Sequence, residues 1–333
     1  MQLLIASQGS YLHEKGGLFE IKTPDRKVEL SPAKVTSIVL GAAVTLSTAA
    51  VRLAVEHNID ILFLDKYGDP FARAWHCGFG STAAIRRKQM VWAESEAGGA
   101  WIVEQVASKV EAQKNLLEEL LKRRPPERES QKHRIHTLAQ LAEKLRGVRG
   151  APPAIRTEVF VHEAHAGKAY FEALADIVPA AWRFDSRSRR PAKDGFNAFL
   201  NYAYGVFYGF LDKATVLAGL DPHLGMLHAD NYGRPSLVFD VIEPYRPWAD
   251  RVVVGLLASR RAQKEMLHPV PGGVALEKEG KGILMEALNG YLDEVVRMDG
   301  KQRSRRQHVQ LRLHALANRL LDRPEAEEEV QEL

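Results

Sequence analysis

Glu163 stands in TEVFVHEAHAGKAYFEAL, where apolar residues recur at helical spacing. Val159, Ala166 and Tyr170 share its face, so the carboxylate points inward and needs a partner. Ala164, Ala166 and Gly167 leave room beside that turn for a second backbone or a ligand. His162-Glu163 does not make a zinc-protease motif: H-E-x-x-H needs a second histidine at position 166, which is alanine, and His165 falls one residue early.

A second concentration of chemistry lies in GMLHADNYGRPSLVFDVIEPYRP. A glycine-containing loop with His228 leads into an apolar run carrying Asp240 and Glu243, three residues apart and therefore on one helical face. Ala229 separates His228 from Asp230, so the adjacent His-Asp pair of the HD phosphohydrolases is missing. Glu163, His228 and Glu243 together make two carboxylates and an imidazole, a donor set suited to Mg2+ or Mn2+, with Mn2+ the more tolerant of the imidazole. Two inward carboxylates close together cannot both stay ionised near neutral pH unless positive charge lies between them. Plain structural roles stay open at this point: Glu163 paired with an arginine, His228 capping a loop, and Asp240 and Glu243 solvated near Arg246 and Arg251.

The run RFDSRSRRPAK, just before DGFNAF, sets Arg183, Arg187, Arg189, Arg190 and Lys193 against one acid, Asp185. Such a strip can grip phosphates or can be a solvated loop. Arg187, Arg190 and Lys193 are the expected nucleic-acid contacts, with Arg246, Arg86 and Tyr208 as lesser ones. The helix that follows, FNAFLNYAYGVFYGFL, reads as core with one polar edge formed by Asn197, Asn201, Tyr204 and Tyr208.

These residues need a frame. Up to about residue 76, LLIAS, GLFEIKT and VTSIVLG read as short strands separated by turns such as EKGG and PDRK, with antiparallel pairing the natural expectation. STAAVRLAVEHN predicts one helix capped by Ser47 and ended at Asn58; IDILFLD, the turn KYGDP and the strand FARAW follow. From Ala83 the pattern turns helical, placing the boundary at 77–82. Two consecutive prolines in RRPPERESQKHR predict a loop at the tip of a helical hairpin. Further helices are expected at 156–176, 196–218, 236–243, 249–267, 277–297 and 301–321. The fold class is therefore α+β: an N-terminal β-rich domain (sandwich or roll) over 1–80, a linker or first helix over 81–95, a larger all-α catalytic domain over 96–322 and an acidic tail over 323–333.

With 45% hydrophobic and 26% charged residues, the chain fits neither wholesale disorder nor an integral membrane protein. Its longest charge-free apolar stretch, 35–51, is interrupted by Thr36, Ser37, Thr45, Ser47 and Thr48, so no membrane span is expected. The start, MQLLIASQGSYL, lacks the features of a secretory signal, and a cytoplasmic location is expected. Cys77, the only cysteine, rules out an intrachain disulfide and a multi-thiolate cluster within one chain. The net charge is +4, yet five glutamates lie beyond residue 324, so the rest of the chain carries +9. A basic body favours a polyanionic partner.

Four ordered stretches, HEAHAGKAYF, DGFNAFLNYAYGVFY, GMLHADNYGRPSLVFD and DVIEPYRPWADRVV, together with TLSTAAVRLAVEHNIDILFLDKYGDPFAR, resemble the CRISPR adaptation integrase, the larger catalytic Cas subunit that inserts new spacers into the repeat array. The resemblance covers nearly the whole chain. It implies that Glu163, His228 and Glu243 are metal ligands, that Asp240 is the acid one turn before the third ligand, and that the cofactor is Mg2+ or Mn2+. It implies endonuclease and strand-transfer activity on double-stranded DNA, both protospacer and repeat. It also implies a homodimer formed through the β-domain, and a heterohexamer with a small ferredoxin-like adaptation subunit. Ala164 stands where that family usually has glycine, and the insertion around Pro125 and Pro126 lengthens a hairpin; neither removes a ligand. A catalytically silent DNA-binding scaffold and a structure-selective repair nuclease of the same fold are the alternative readings.

Overall fold

The computed structural model describes residues 2–5, 7–24, 26–35, 37–41, 44–57, 59–64, 70–74, 82–122, 125–228 and 234–322. Cys77, Asn58, the KYGDP turn, the CGFGST boundary and the acidic tail lie wholly or largely outside these residues. The chain divides into two units, Met1–Gly80 and Ser81–Leu333.

The N-terminal unit holds β1 (Gln2–Ile5), β2 (Tyr11–Lys15), β3 (Leu18–Lys22), β4 (Lys27–Leu30), β5 (Ser37–Leu40), β6 (Thr45–Leu46), α1 (Thr48–Glu56), β7 (Asp60–Leu64) and β8 (Pro70–Ala74). One sheet runs β4-β3-β2-β6 and the other β1-β5-β7-β8. The expectation of antiparallel pairing is only half met. β2, β3 and β4 form a meander, and β8 returns against β7, but β1, β5 and β7 are mutually parallel and β6 joins β2 in parallel. Parallel neighbours require crossovers. The chain supplies one between β5 and β7 through α1, capped by the Ser47 hydroxyl on the Ala50 amide at 3.1 Å. Ala50, Leu53 and Ala54 of α1 join Leu12, Phe19, Ile38, Ile59 and Ile61 in this unit's core.

The second unit is largely helical: α2 (Thr82–Ala93), α3 (Glu96–Leu121), α4 (Pro125–Gly147), α5 (Pro152–Ile177), α6 (Gly195–Leu217), α7 (Ser236–Val241), α8 (Arg246–Ala258), α9 (Lys278–Asp293) and α10 (Arg305–Leu320). The expected loop around the two prolines is corrected. Pro125 and Pro126 open α4, a position that needs no backbone donor, so Glu127–Arg134 is helix. The all-helical expectation is refined by two hairpins, β9 (Leu267–Val270) with β10 (Gly273–Leu276), and β11 (Val295–Met298) with β12 (Lys301–Ser304). Each turns on a two-residue loop, Pro271-Gly272 or Asp299-Gly300, with Gly272 at φ +79°, Asp299 at +51° and Gly300 at +77°. The β11–β12 hairpin shortens the helices expected at 277–297 and 301–321, and the helix expected at 249–267 already stops at Ala258.

α3, α4 and α5 pack together, while α6 lies against α8, α9 and α10. α6 starts on Asp194, whose carboxylate accepts from the Asn197 amide at 2.8 Å, and buries Phe196, Phe199 and Phe207. Among the described residues no helix is long and apolar enough to cross a membrane. The architecture is α+β, strands first and helices after.

Candidate active site

Glu163 lies on α5, Glu243 in the single turn of 3-10 helix between α7 and α8, Asp240 on α7, and His228 in the loop before α7. Gly225 starts that loop's approach: a Cβ there would stand 2.7 Å from the Ser236 Cβ and 2.9 Å from the His228 carbonyl oxygen. Only glycine lets the chain fold back this tightly on the start of α7.

Asp240 is fully buried and spends both oxygens on the loop. It accepts from the amides of Met226 (2.5 Å), Leu227 (3.1 Å) and His228 (3.2 Å), and lies 2.7 Å from His228 Nδ1. An ionised carboxylate only accepts, so Nδ1 donates and Nε2 becomes the ring's basic nitrogen. Asp240 is therefore a positioning residue for the imidazole, in the manner of carboxylates behind metal-binding histidines. The His228 ring is further held edge-on by Phe239 and by Phe160, one turn before Glu163 on α5.

The positive charge between the two glutamates is Lys109, on α3. Its Nζ donates to Glu163 Oε1 at 2.5 Å and to Glu243 Oε2. Arg246 Nε donates to the other Glu243 oxygen at 2.8 Å, and Arg246 Nη2 to the Tyr208 hydroxyl at 2.8 Å. The Arg246 guanidinium also lies over the rings of Tyr204 and Tyr208. Burial works against a charged Glu243, but Arg246 and Lys109 outweigh it and hold the carboxyl at about 2 instead of 4.5. The same two glutamates hold the Lys109 ammonium above its ordinary range despite burial.

Beside this group, Asp250 accepts from the hydroxyls of Tyr170 (2.8 Å) and Tyr204 (2.7 Å), and burial raises its carboxyl to about 6. Sequence reading missed Lys109, Tyr170 and Asp250. The signal for Lys109 was present: Ile102, Val106 and Gln113 lie seven and three residues before it and four after, so the lysine sits on the buried stripe of α3.

The basic strip divides. Arg187 donates to the side-chain oxygens of Asn197 (2.6 Å) and Asn201 (2.8 Å) and lies over Phe171 and Tyr204, so its guanidinium is committed inside the protein. Arg190 and Lys193 are exposed; Lys193 Nζ donates to the Gly272 carbonyl at 2.8 Å. Arg86, on α2, pairs with Asp221 at 2.9 Å. Tyr208 and Arg246 belong to the inner network.

Among the described residues no three His, Cys, Asp or Glu side chains close on one point as they stand. The donor chemistry nonetheless fits a hard divalent cation: two carboxylates, plus an imidazole whose Nδ1 a buried carboxylate has already taken. Side-chain exposures of 28% for Glu163 and 29% for His228, against 2% for Glu243, put the open side of the site at the first two.

A strand-rich unit followed by a helical one that carries these acids defines a class of protein that the comparisons with known proteins identify. The family described as CRISPR associated protein Cas1 matches residues 3–290, and the chain belongs to that family. It is 29% identical over 314 residues to CRISPR-associated endonuclease Cas1 1 of Archaeoglobus fulgidus, covering 90% of this chain and 91% of that protein. It is 27% identical to CRISPR-associated endonuclease Cas1 2 of Saccharolobus solfataricus, covering 94% and 92%. Among solved structures, the Cas1 protein of Thermotoga maritima superposes with a TM-score of 0.78 at 21% identity, over 97% of this chain and 98% of that one. A casposase bound to its integration product superposes at 0.81, also at 21% identity, over 100% and 95%.

Proposed function

We propose that this chain is a metal-dependent DNA endonuclease and strand-transfer integrase of CRISPR adaptation, joining a DNA 3′-hydroxyl to a phosphodiester of the repeat array. The observation that carries this reading is Lys109 bridging Glu163 and Glu243 in a chain of the Cas1 family, with the Asp240-held His228 packed on Phe160, one turn before Glu163. Glu163, His228 and Glu243 would hold Mg2+ or Mn2+, which supplies neutralisation of the charge that develops on the phosphate oxygens.

The chain's own residues prepare that step. Asp240 fixes the imidazole tautomer; Lys109 and Arg246 keep Glu243 ionised; Tyr204 and Tyr208 hold Arg246 in place. No side chain is asked to form a covalent intermediate, since positioning and electrostatics suffice for phosphoryl transfer. With water as the attacker the same site cuts DNA; with a 3′-hydroxyl it joins strands.

Arg190 and Lys193, with Arg86 in support, are proposed to contact the DNA backbone, while Arg187, Arg246 and Tyr208 act by positioning. The partners proposed are double-stranded DNA, a second copy of this chain and the small adaptation subunit, in a heterohexamer. Support comes from fold neighbours solved as a Cas6-RT-Cas1–Cas2 complex and as a Cas1–DNA complex.

The test is a joining assay on repeat-containing duplex with donor DNA ending in either a 3′-hydroxyl or a 3′-deoxy group. Joined product should form only with the hydroxyl and vanish in EDTA. Cleavage that ignores the donor end, with no joining, supports a structure-selective nuclease; folded, DNA-bound protein without any reaction supports a scaffold.

A further inference from the structure

The two glutamates of the site reach the same point in the interior from different elements, and a lysine of a third element fills it. Lys109 is 4% exposed, and its neighbours along the inner face of α3 are Val106, Val110 and Gln113, all buried. Its ammonium spends two of its three donors on Glu163 Oε1 and Glu243 Oε2, while Arg246 takes the remaining Glu243 oxygen. Among the described residues, Lys109 is the cation that bridges the two glutamates.

Two adjacent carboxylates demand positive charge, and either an ammonium or a divalent cation meets that demand. The two cannot meet it through the same oxygens at once, because the lone pairs that face the shared point are those the ammonium now uses. The lysine, carried on a flexible four-carbon stem, can swing aside without leaving the site.

We propose that Lys109 is a built-in counter-ion that holds the place of the divalent cation in the metal-free protein and competes with it for Glu163 and Glu243. This rests on the metal reading given above. It has two consequences. Without metal, the ammonium keeps α3, α5 and the turn after α7 joined at the site, so the cleft is assembled before any cation arrives. With metal, each binding event must displace the lysine, so the affinity is set lower than the three donors alone would give, and loading follows the free-metal concentration.

The experiment uses the full-length protein, wild type, Lys109→Gln, Lys109→Met and Glu163→Ala, melted in EDTA and then titrated with Mn2+ by calorimetry near neutral pH. Both Lys109 variants should melt below the wild type in EDTA, regain stability with Mn2+, and bind it about tenfold or more tightly, equivalent to about 1.4 kcal/mol. Glutamine keeps two donors and similar length, so Lys109→Gln carries the test if Lys109→Met does not fold. Equal or weaker Mn2+ binding by Lys109→Gln, in a wild type that binds and a Glu163→Ala that does not, sinks the competition alone and leaves the metal site standing. Mn2+ binding by neither the wild type nor Lys109→Gln overturns both.

Discussion

Glu243 is almost wholly buried and still ionised, because Arg246 and Lys109 hold its carboxyl at about 2 where 4.5 is usual. A depressed acid contributes stability that is complete above the unfolded value and is lost as pH falls toward the folded one. In metal-free protein this contribution is about 3 kcal/mol in full, draining between pH 4.5 and 2. Urea unfolding in EDTA should therefore show wild type and Glu243→Gln furthest apart near pH 6, with the gap narrowing toward pH 3; a gap independent of pH contradicts the assignment. At this scale the sequence singled out the acids directly, and the cation only through the place of Lys109 on the buried stripe of α3. Glu163, Asp240 and Glu243 stood out as carboxylates on apolar faces, and the need for positive charge between them followed. That the charge is Lys109 depends on how α3 lies beside α5, which no local pattern encodes.

Among the elements, the loop from Gly225 to His228 and helix α7 act as one piece. Asp240 accepts three backbone amides and the imidazole Nδ1–H. Asn in its place would turn a donor toward those donors, leaving buried groups unpaired at a cost of about 1–3 kcal/mol. Asp240→Asn should thus lower the melting temperature and also weaken Mn2+ binding by roughly 10–100-fold. Loss of stability with unchanged Mn2+ affinity would limit Asp240 to the loop. Helices with strong apolar periodicity, such as α5 and α6, were legible to within a few residues. The hairpins β9–β10 and β11–β12 were not, because their strands are four residues long and run directly into helices, although VPGG and MDGK carried the turn chemistry. Pro125-Pro126 misled for a different reason: the same residue pair that stops one helix is well suited to start the next.

For the molecule as a whole, the positive charge outside the last nine residues remains the broadest pointer to DNA. Its distribution is less uniform than the sequence suggests, since Arg187 and Arg246 face inward while Arg190 and Lys193 face solvent. Arg190→Ala with Lys193→Ala should flatten the plot of log affinity against log salt by about 1.8, two phosphate contacts' worth. Arg187→Ala should instead lower thermal stability and leave that slope nearly unchanged; a reversed pattern would return the strip's DNA contact to Arg187. The order of strands before helices followed from composition and periodicity, whereas the parallel pairing of β1, β5 and β7 is a property of crossovers between distant segments.

Metal-dependent strand transfer at Glu163 can be measured on a branched DNA that mimics a half-integrated spacer, followed for rejoining of the interrupted strand. The wild type should rejoin that strand with Mn2+ and not in EDTA, and folded, DNA-bound Glu163→Ala should not rejoin it. Rejoining that persists in EDTA, or in the Glu163→Ala protein, would contradict metal-dependent transfer at this site.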